Sequence, residues 1–236
     1  MIPIRDNVPT RSTPIVTIAL IVANAIVWFW ELKQPGVNYH VAADGYYPCT
    51  VSGPCEAVVV EGHRFAQHLA WYLGWLTSMF MHGGWDHIIG NMLFLWIFGN
   101  NVEDALGKLR FLLWYLAGGI AASALQTFVT LQFGSIQDAS IPNIGASGAI
   151  AAVLGAYFIL LPRARVLTWI VFVLREIPAY WFLGIWIVLQ LWMGGVGLTH
   201  PEQVGGVAFF AHIGGFAFGV LTVRLVAKRR PLQPAW

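Results

Sequence analysis

The stretch NIGASGAIAAVLGAY, from Asn143 to Tyr157, decides how this chain is interpreted. Most of it is small and apolar, as in a membrane-buried helix, yet it opens with a hydroxyl, Ser147, between Gly145 and Gly148. Hydrophobic residues make up 58% of the 236 residues, charged residues only 10%, and the mean hydropathy is +0.66. Soluble domains carry about 25% charged residues. The composition therefore predicts a polytopic membrane protein.

Six segments are apolar and long enough to cross a bilayer, which takes roughly 20 residues. They cover residues 14–31, 78–100, 108–131, 145–161, 179–198 and 204–226. We therefore expect an all-α polytopic protein with six transmembrane helices, forming one integral-membrane domain over residues 1–236. Residues 166–174 are apolar but too short to span, and we expect a hairpin-like or interfacial excursion there. No small-residue cleavage site follows the first segment, so we interpret it as a helix rather than a signal peptide.

The basic residues predict the topology. Eleven of the thirteen Lys and Arg residues lie before the first segment, at the start of the third, between the fourth and the fifth, or at and beyond the end of the sixth. By the positive-inside rule, both termini are expected in the cytoplasm. The basic inner side and the short tails favour a bacterial inner membrane. No basic block is interleaved with aromatic residues, so the lipid bilayer, and not nucleic acid, is the expected partner.

The loop of residues 32–77 is then expected outside the cell. It holds both cysteines, Cys49 and Cys55, and an oxidising compartment would allow a disulfide between them; two free thiols are the alternative. The same loop carries Trp71, Tyr72 and Trp75, which suit an element at the level of the lipid headgroups.

Few strongly polar side chains lie within the six segments. The candidates among them are His82, His87 and Asn91 in the second, Ser147 in the fourth and His212 in the sixth. Such residues are costly in a membrane and are functional candidates. The three segments run in the same direction, and each carries its polar groups near its outer end, so these groups are expected at similar depth. His87 and Asn91 share one helix face, whereas His82 lies about 140° from His87, nearer the helix mouth.

Small residues predict how two of these groups meet. Gly215 and Gly219 lie on the face of His212, and Gly148, Ala152 and Gly155 form a similar strip beside Ser147. Close contact between the two helices would bring the hydroxyl to the imidazole. Ser147 is then a candidate nucleophile and His212 its general base, with the Ser147 amide, His87 and Asn91 as oxyanion donors. No acidic residue within the membrane is available to orient His212, so we expect a dyad.

Three motifs together resemble those of the rhomboid intramembrane serine protease family. They are HGGWDHIIGN (His82–Asn91), GASG (Gly145–Gly148) and AHIGGFAFG (Ala211–Gly219), in the family's order and on its helices two, four and six. The resemblance covers nearly the whole chain, including VEDALGKLRF at the inner end of helix two. It implies a six-helix fold with Ser147 as nucleophile, His212 as base, and His87 and Asn91 as oxyanion partners.

The resemblance also implies the surroundings of the site. Gly145 is expected beside the nucleophile, and His82 in a supporting role at a water-filled mouth. Helix five, rich in tryptophan, is expected to act as a movable gate. The implied substrates are single-span membrane proteins, cleaved near the outer face, and no cofactor or metal is expected.

The chain departs from the family pattern at two places. Many rhomboids have an aromatic residue four positions after the serine that stacks on the catalytic imidazole, and here that position is Ala151. A Trp-Arg pair common in the outer loop is replaced by Leu73 and Gly74. The first departure leaves open what holds His212.

Other classes of protein remain as alternatives. A metal or haem protein would use His82, His87 and His212, but the HxxxxH spacing puts two of these on different helix faces and lacks the glutamate of HExxH. A catalytically inactive rhomboid-like protein would bind membrane clients without cutting them, although such relatives typically lose the serine or the histidine. A transporter is less favoured, since paired intramembrane charges and an internal repeat are missing from the sequence.

Overall fold

The computed structural model describes residues 1–53, 55–65, 69–200, 207–229 and 232. Within these ranges the chain is mostly helical, with two small antiparallel sheets. The helices are α1 (Ile15–Glu31), α2 (Val37–Asp44), α3 (Trp71–Thr77), α4 (Trp85–Leu106), α5 (Lys108–Phe133), α6 (Ile136–Ala139), α7 (Ser147–Leu160), α8 (Ala179–Thr199) and α9 (Phe209–Val226). The strands are β1 (Ile2–Asp6), β2 (Val58–Val60), β3 (His63–Phe65), β4 (Arg165–Ile170) and β5 (Val173–Pro178).

Helix α7 is the central element of the bundle. Every residue from Gly148 to Tyr157 is buried, and α7 packs against α4, α5, α8 and α9. Small residues dominate its sequence, which lets the neighbouring helices approach from several sides. Helix α7, most of which belongs to the stretch NIGASGAIAAVLGAY, is therefore the core around which the other helices assemble.

The six-span prediction is supported in part. Among the described residues, three helices are long and apolar enough to cross a membrane: α5, α8 and α9. Helices α1 and α7 are apolar but shorter, with 17 and 14 residues. The count of six spans stays a prediction.

Helix α4, which corresponds to the second predicted segment, begins later than the sequence predicted. Segment 78–100 was expected to be helical throughout, but residues 78–80 form a single 3₁₀ turn and α4 starts only at Trp85 and continues to Leu106. The carboxylate of Glu31 accepts a hydrogen bond from the backbone N–H of His82 at 3.1 Å, which fixes the non-helical segment before α4. Helix α9, which corresponds to the sixth predicted segment, starts at Phe209. Residues 204–206 of the predicted range lie outside the described residues.

The expectation of an all-α fold needs a correction at the basic end of the bundle. Residues 166–174 do form a hairpin, β4 with β5, and β1 pairs with β4 to make a three-stranded sheet of order β1-β4-β5. Val166 and Thr168 are buried and alternate with more exposed neighbours, the period of a strand. Strand β1 was not predicted, because five residues of mixed polarity carry little pattern.

Strand β1, the α4–α5 turn, residues 227–229 and the β4–β5 hairpin lie together at one end of the bundle. The side chain of Glu103, near the end of α4, accepts hydrogen bonds from the first amides of α1 at Val16 and Thr17, at 3.1 and 2.7 Å. It thereby supplies the cap that Pro14 cannot provide. Asp104 binds Arg11 at 2.8 Å. At this end, both acidic residues of VEDALGKLRF make structural contacts.

The loop of residues 32–77 lies at the opposite end, and local elements organise its described residues. Cys49 and Cys55 form a disulfide, strands β2 and β3 form a two-stranded hairpin, and α3 carries Trp71 and Trp75. Backbone hydrogen bonds between Tyr46 and Asn143 join this loop to the segment that precedes α7. The loop therefore supports the polypeptide immediately before Ser147.

Candidate active site

Ser147 and His212 are in hydrogen-bond contact. Ser147 is the first residue of α7, His212 lies in the first turn of α9, and Nε2 of the imidazole is 2.8 Å from Oγ of the serine. This is the distance at which a histidine can remove a hydroxyl proton. As the first residue of the helix, Ser147 also has an amide with no acceptor inside the helix, which suits it to donate to an oxyanion.

Glycine contacts between α7 and α9 bring the pair together. A methyl group on Gly215 would overlap the carbonyl oxygen of Gly148, and one on Gly219 would overlap that of Ala152. The backbones therefore touch at two levels one turn apart. This close approach is what the small-residue strips predicted.

The loop before Ser147 is held in a conformation that favours glycine. Gly145 has φ of +115°, a region that side chains with a Cβ rarely adopt, and its N–H donates to the carbonyl of Ser78 at 2.8 Å. A methyl group at this position would lie 2.7 Å from Nε2 of His87. Glycine is thus favoured at position 145 for two reasons: the backbone has a positive φ, and the imidazole of His87 leaves no room for a Cβ.

His87 and Asn91 lie beside this loop and present donors. The N–H of Gly83 donates to Nδ1 of His87 at 3.4 Å, which leaves the imidazole proton on Nε2, the atom that faces Gly145. The side-chain nitrogen of Asn91 donates one of its two hydrogens to Nε2 of His82 at 3.0 Å. Its second hydrogen is left for another acceptor.

His82 lies in a different place from the one expected. The sequence predicted it at a water-filled mouth, on a helix face away from His87, whereas its side chain is fully buried. Because α4 starts at Trp85, the chain before it turns back, and the two imidazole centroids lie 5.0 Å apart. Nδ1 of His82 donates to the carbonyl of Phe80 at 3.3 Å, so that Nε2 accepts from Asn91. His82 therefore orients Asn91 from inside the protein.

A cavity of about 660 Å³ joins these groups between α4, α7 and α8. Its polar lining includes Asp86, His87, Asn91, Ser147 and His212, and Trp186 forms part of its apolar wall. Among the described residues that line it, Asp86 is the only carboxylate. The cavity is large enough for several side chains of an extended peptide.

Two residues that the sequence analysis missed hold the imidazole of His212. The amide oxygen of Gln190 lies 2.7 Å from Nδ1, and the indole of Trp186 packs against the ring with centroids 5.8 Å apart. Both come from α8. The ring that Ala151 does not supply is therefore supplied by another helix. In the sequence, Trp186 was only one of several tryptophans in the fifth predicted segment, which corresponds to α8. The available signal for Gln190 was that it is a lone glutamine in this apolar segment.

The described part of the chain contains no group of three or more His, Cys, Asp or Glu side chains arranged to hold a metal ion. His82, His87 and His212, the set considered for a metal or haem protein, instead make the separate hydrogen bonds given above. The expected absence of a cofactor stays a prediction.

Comparison with known proteins assigns the family. The rhomboid domain family matches residues 70–229, which include all the site residues described above. The chain belongs to the rhomboid family. Similar proteins include presenilin-associated rhomboid-like protein A, mitochondrial, of Danio rerio, 32% identical over 68% of this chain and 40% of that protein. Rhomboid protein 1, mitochondrial, of Saccharomyces cerevisiae is 30% identical over 65% of this chain and 41% of that protein.

A third similar rhomboid is rhomboid-like protein 11, chloroplastic, of Arabidopsis thaliana, 31% identical over 67% of this chain and 54% of that protein. The chain thus spans about two fifths to one half of the length of these relatives. Their names place them in mitochondria or chloroplasts. The prediction of a bacterial inner membrane with cytoplasmic termini is therefore wrong, since charge distribution indicates which side of a membrane a loop occupies but not which membrane it is.

Proposed function

We propose that this rhomboid is an intramembrane serine endopeptidase that cleaves transmembrane segments of single-span membrane proteins with Ser147 and His212. The observation that carries the proposal is the 2.8 Å contact between Oγ of Ser147 and Nε2 of His212, at a cavity that His87 and Asn91 also line. A nucleophile, a base and oxyanion donors are the three parts that acyl transfer requires.

The reaction follows from this arrangement. Oγ of Ser147 attacks the scissile carbonyl carbon while Nε2 of His212 takes the hydroxyl proton. The negative charge on the carbonyl oxygen is stabilised by donors at the cavity wall: the Ser147 amide, Nε2–H of His87 and the free hydrogen of Asn91. His212 then protonates the leaving amine, and an acyl-enzyme forms. A water molecule, activated by His212 in turn, hydrolyses the ester and restores Ser147.

Substrate is proposed to enter between α4 and α8. The site cavity is bounded by both helices, and α8 is the less firmly packed, since only four of its 21 residues are buried: Ala179, Phe182, Leu183 and Gly194. Three of these lie in its first five residues. Helix α8 is thus anchored near the basic end, and its remainder is suited to move aside for a substrate helix.

The test is cleavage of a panel of single-span proteins in liposomes by the wild-type protein and by Ser147→Ala and His212→Ala. Each substitution is expected to reduce cleavage by a factor of about 10³ or more, and Ser52→Ala, at an exposed position, serves as the matched serine control. Labelling by a serine-reactive fluorophosphonate is expected to be lost in Ser147→Ala alone among the serine variants. Cleavage that persists in Ser147→Ala would contradict the mechanism.

A second candidate function is the binding of membrane clients without cleavage. The intact pair of Ser147 and His212 favours the protease. Capture of single-span proteins that are not cut, together with failure of the fluorophosphonate to label Ser147, would favour the alternative. Because the names of the relatives place them in mitochondria or chloroplasts, we propose that this protein, whether it cleaves or only binds its clients, acts in a membrane of one of these organelles.

A further inference from the structure

The imidazole of His212 is hydrogen-bonded through both of its nitrogens. Nε2 faces Oγ of Ser147 at 2.8 Å, and Nδ1 faces Oε1 of Gln190 at 2.7 Å. An amide oxygen can only accept a hydrogen bond, so the proton of the neutral ring lies on Nδ1. Nε2 then carries a lone pair and points it at the serine hydroxyl. In the other tautomer, Nε2–H would donate to Oγ and could not take its proton.

We propose that Gln190 is a positioning residue that holds His212 in the base-competent tautomer and orientation, so that the site works as a Ser-His-Gln arrangement. The inference rests on the proposed function of the same site. Gln190 acts through His212 alone and is not expected to touch the scissile bond.

A neutral amide suits this position better than the carboxylate of soluble serine proteases. An unpaired carboxylate is strongly disfavoured among membrane helices, whereas an amide supplies the same acceptor atom without a net charge. Asp86 is the only carboxylate among the described lining residues of the cavity, and the acceptor that meets Nδ1 is the glutamine oxygen.

Gln190 lies in the middle of the contact between α8 and α9. Trp186, Gln190 and Gly194 are spaced four residues apart and therefore share one face of α8. Trp186 packs against His212 and Phe216, and Gly194 lies beside Phe210 and Ile213. This stripe fixes the position of Gln190 when α8 is packed against α9. The helix proposed to move for substrate thus carries both groups that hold the base, and the base is fully positioned only while α8 remains on α9.

A glutamine that merely joined two helices would show the same contact, but its replacement would leave the imidazole proton on Nδ1. The first test therefore records ¹⁵N spectra of histidine-labelled protein, with the His212 signals assigned by their loss in His212→Ala. In the wild-type protein we expect a protonated Nδ1 and an unprotonated Nε2. Gln190→Leu, which is similar in size but has no acceptor, is expected to give a mixture of tautomers or the reverse one.

The second test measures the rate of fluorophosphonate labelling of Ser147 and the kcat of cleavage. Gln190→Leu is expected to lower both by about tenfold to a hundredfold with little change in KM, because ground-state binding does not need the base. Gln190→Glu retains the oxygen and is expected to recover most of the labelling rate. Leu189→Ala, at the neighbouring exposed position of α8, is the control and should behave as the wild-type protein does.

Gln190→Asn covers the case in which the leucine variant does not fold. It keeps the amide but is one methylene shorter, which withdraws the oxygen from Nδ1, and the tautomer is again expected to change. Wild-type spectra and labelling rates in a folded Gln190→Leu or Gln190→Asn protein would overturn the inference. If Ser147 is never labelled, the proposed function fails, but the ¹⁵N comparison still decides the role of Gln190.

Discussion

Gly145 connects the backbone before the nucleophile to the two side chains proposed to bind the oxyanion. Its φ of +115° turns the loop so that its α-carbon faces the imidazole of His87. A Cβ there would be 2.7 Å from Nε2 of His87 and 3.7 Å from the side-chain nitrogen of Asn91. At the residue scale, the absence of a Cβ at Gly145 lets the loop before Ser147 lie directly against His87 and Asn91.

Gly145→Ala is accordingly expected to reduce kcat at least tenfold while the protein still folds. The backbone strain costs about 1–2 kcal/mol, and His87 must also move away from the new methyl group. The matched control is Gly84→Ala: Gly84 has an extended backbone and no atom within 4 Å of an added Cβ. Cleavage and thermal unfolding, measured on both variants, separate the two effects, and wild-type cleavage by a folded Gly145→Ala protein would contradict the requirement for glycine beside His87.

At the element scale, the contact between α7 and α9 determines the distance between the nucleophile and the base. Gly215 lies three residues after His212 and packs directly on the carbonyl of Gly148, the residue after Ser147. A side chain at this level would force the helices apart beside the reacting groups. The 2.8 Å contact of Ser147 with His212 therefore depends on the close approach that Gly215 in α9 and Gly155 in α7 allow.

Gly215→Ala is predicted to lower both stability and activity. Overpacking typically costs about 1–3 kcal/mol, and separation of α7 from α9 lengthens the distance between Nε2 and Oγ. Gly184→Ala in α8 is the control, because an added Cβ meets nothing within 4 Å and alanine favours a helix over glycine by about 1 kcal/mol. The melting temperature in detergent should fall for Gly215→Ala and hold or rise for Gly184→Ala. Equal behaviour of the two variants would show that the glycine contact does not limit helix approach.

On the scale of the whole molecule, the N-terminal strand ties the basic end of the bundle together. Asp6, at the end of β1, accepts hydrogen bonds from the hydroxyl of Tyr157 near the C-terminal end of α7 and from the side chain of Asn101 in α4. Burial raises the pKa of the Asp6 carboxyl to about 6, although the hydrogen bond from Tyr157 acts in the opposite direction. Asp6 is thus a pH-sensitive link between three elements at the end remote from Ser147.

Stability is therefore expected to fall as the pH rises from about 4 to about 6. In this range the folded protein retains the Asp6 proton and the unfolded chain releases it, so raising the pH favours unfolding. A rise in pKa from 3.8 to about 6 corresponds to a loss on the order of 3 kcal/mol. Asp6→Asn cannot titrate, and the difference in melting temperature between it and the wild-type protein should change across this range. A difference independent of pH would contradict the assignment.

The local pattern of the sequence predicted the central part of the site. A motif fixes the spacing of residues on one helix, and the 3.6-residue period then places Ser147 beside Gly148, and His212 beside Gly215, on faces that can touch. The apolar lengths also located helices α1, α5, α7 and α8 to within a few residues. These features follow from interactions between neighbours in the chain, which a single sequence displays directly.

Contacts between distant residues were decided only by the tertiary structure. Glu31, 51 residues before His82, holds the turn that delays α4 and buries His82 under Asn91. Gln190 and Trp186 reach His212 because α8 packs on α9, and strand β1 finds β4 across more than 150 residues. Such pairs share no period and no spacing, since they are selected by how the helices pack. The sequence alone thus determined the nucleophile and the base as candidates, and the packed fold decided what holds the base in place.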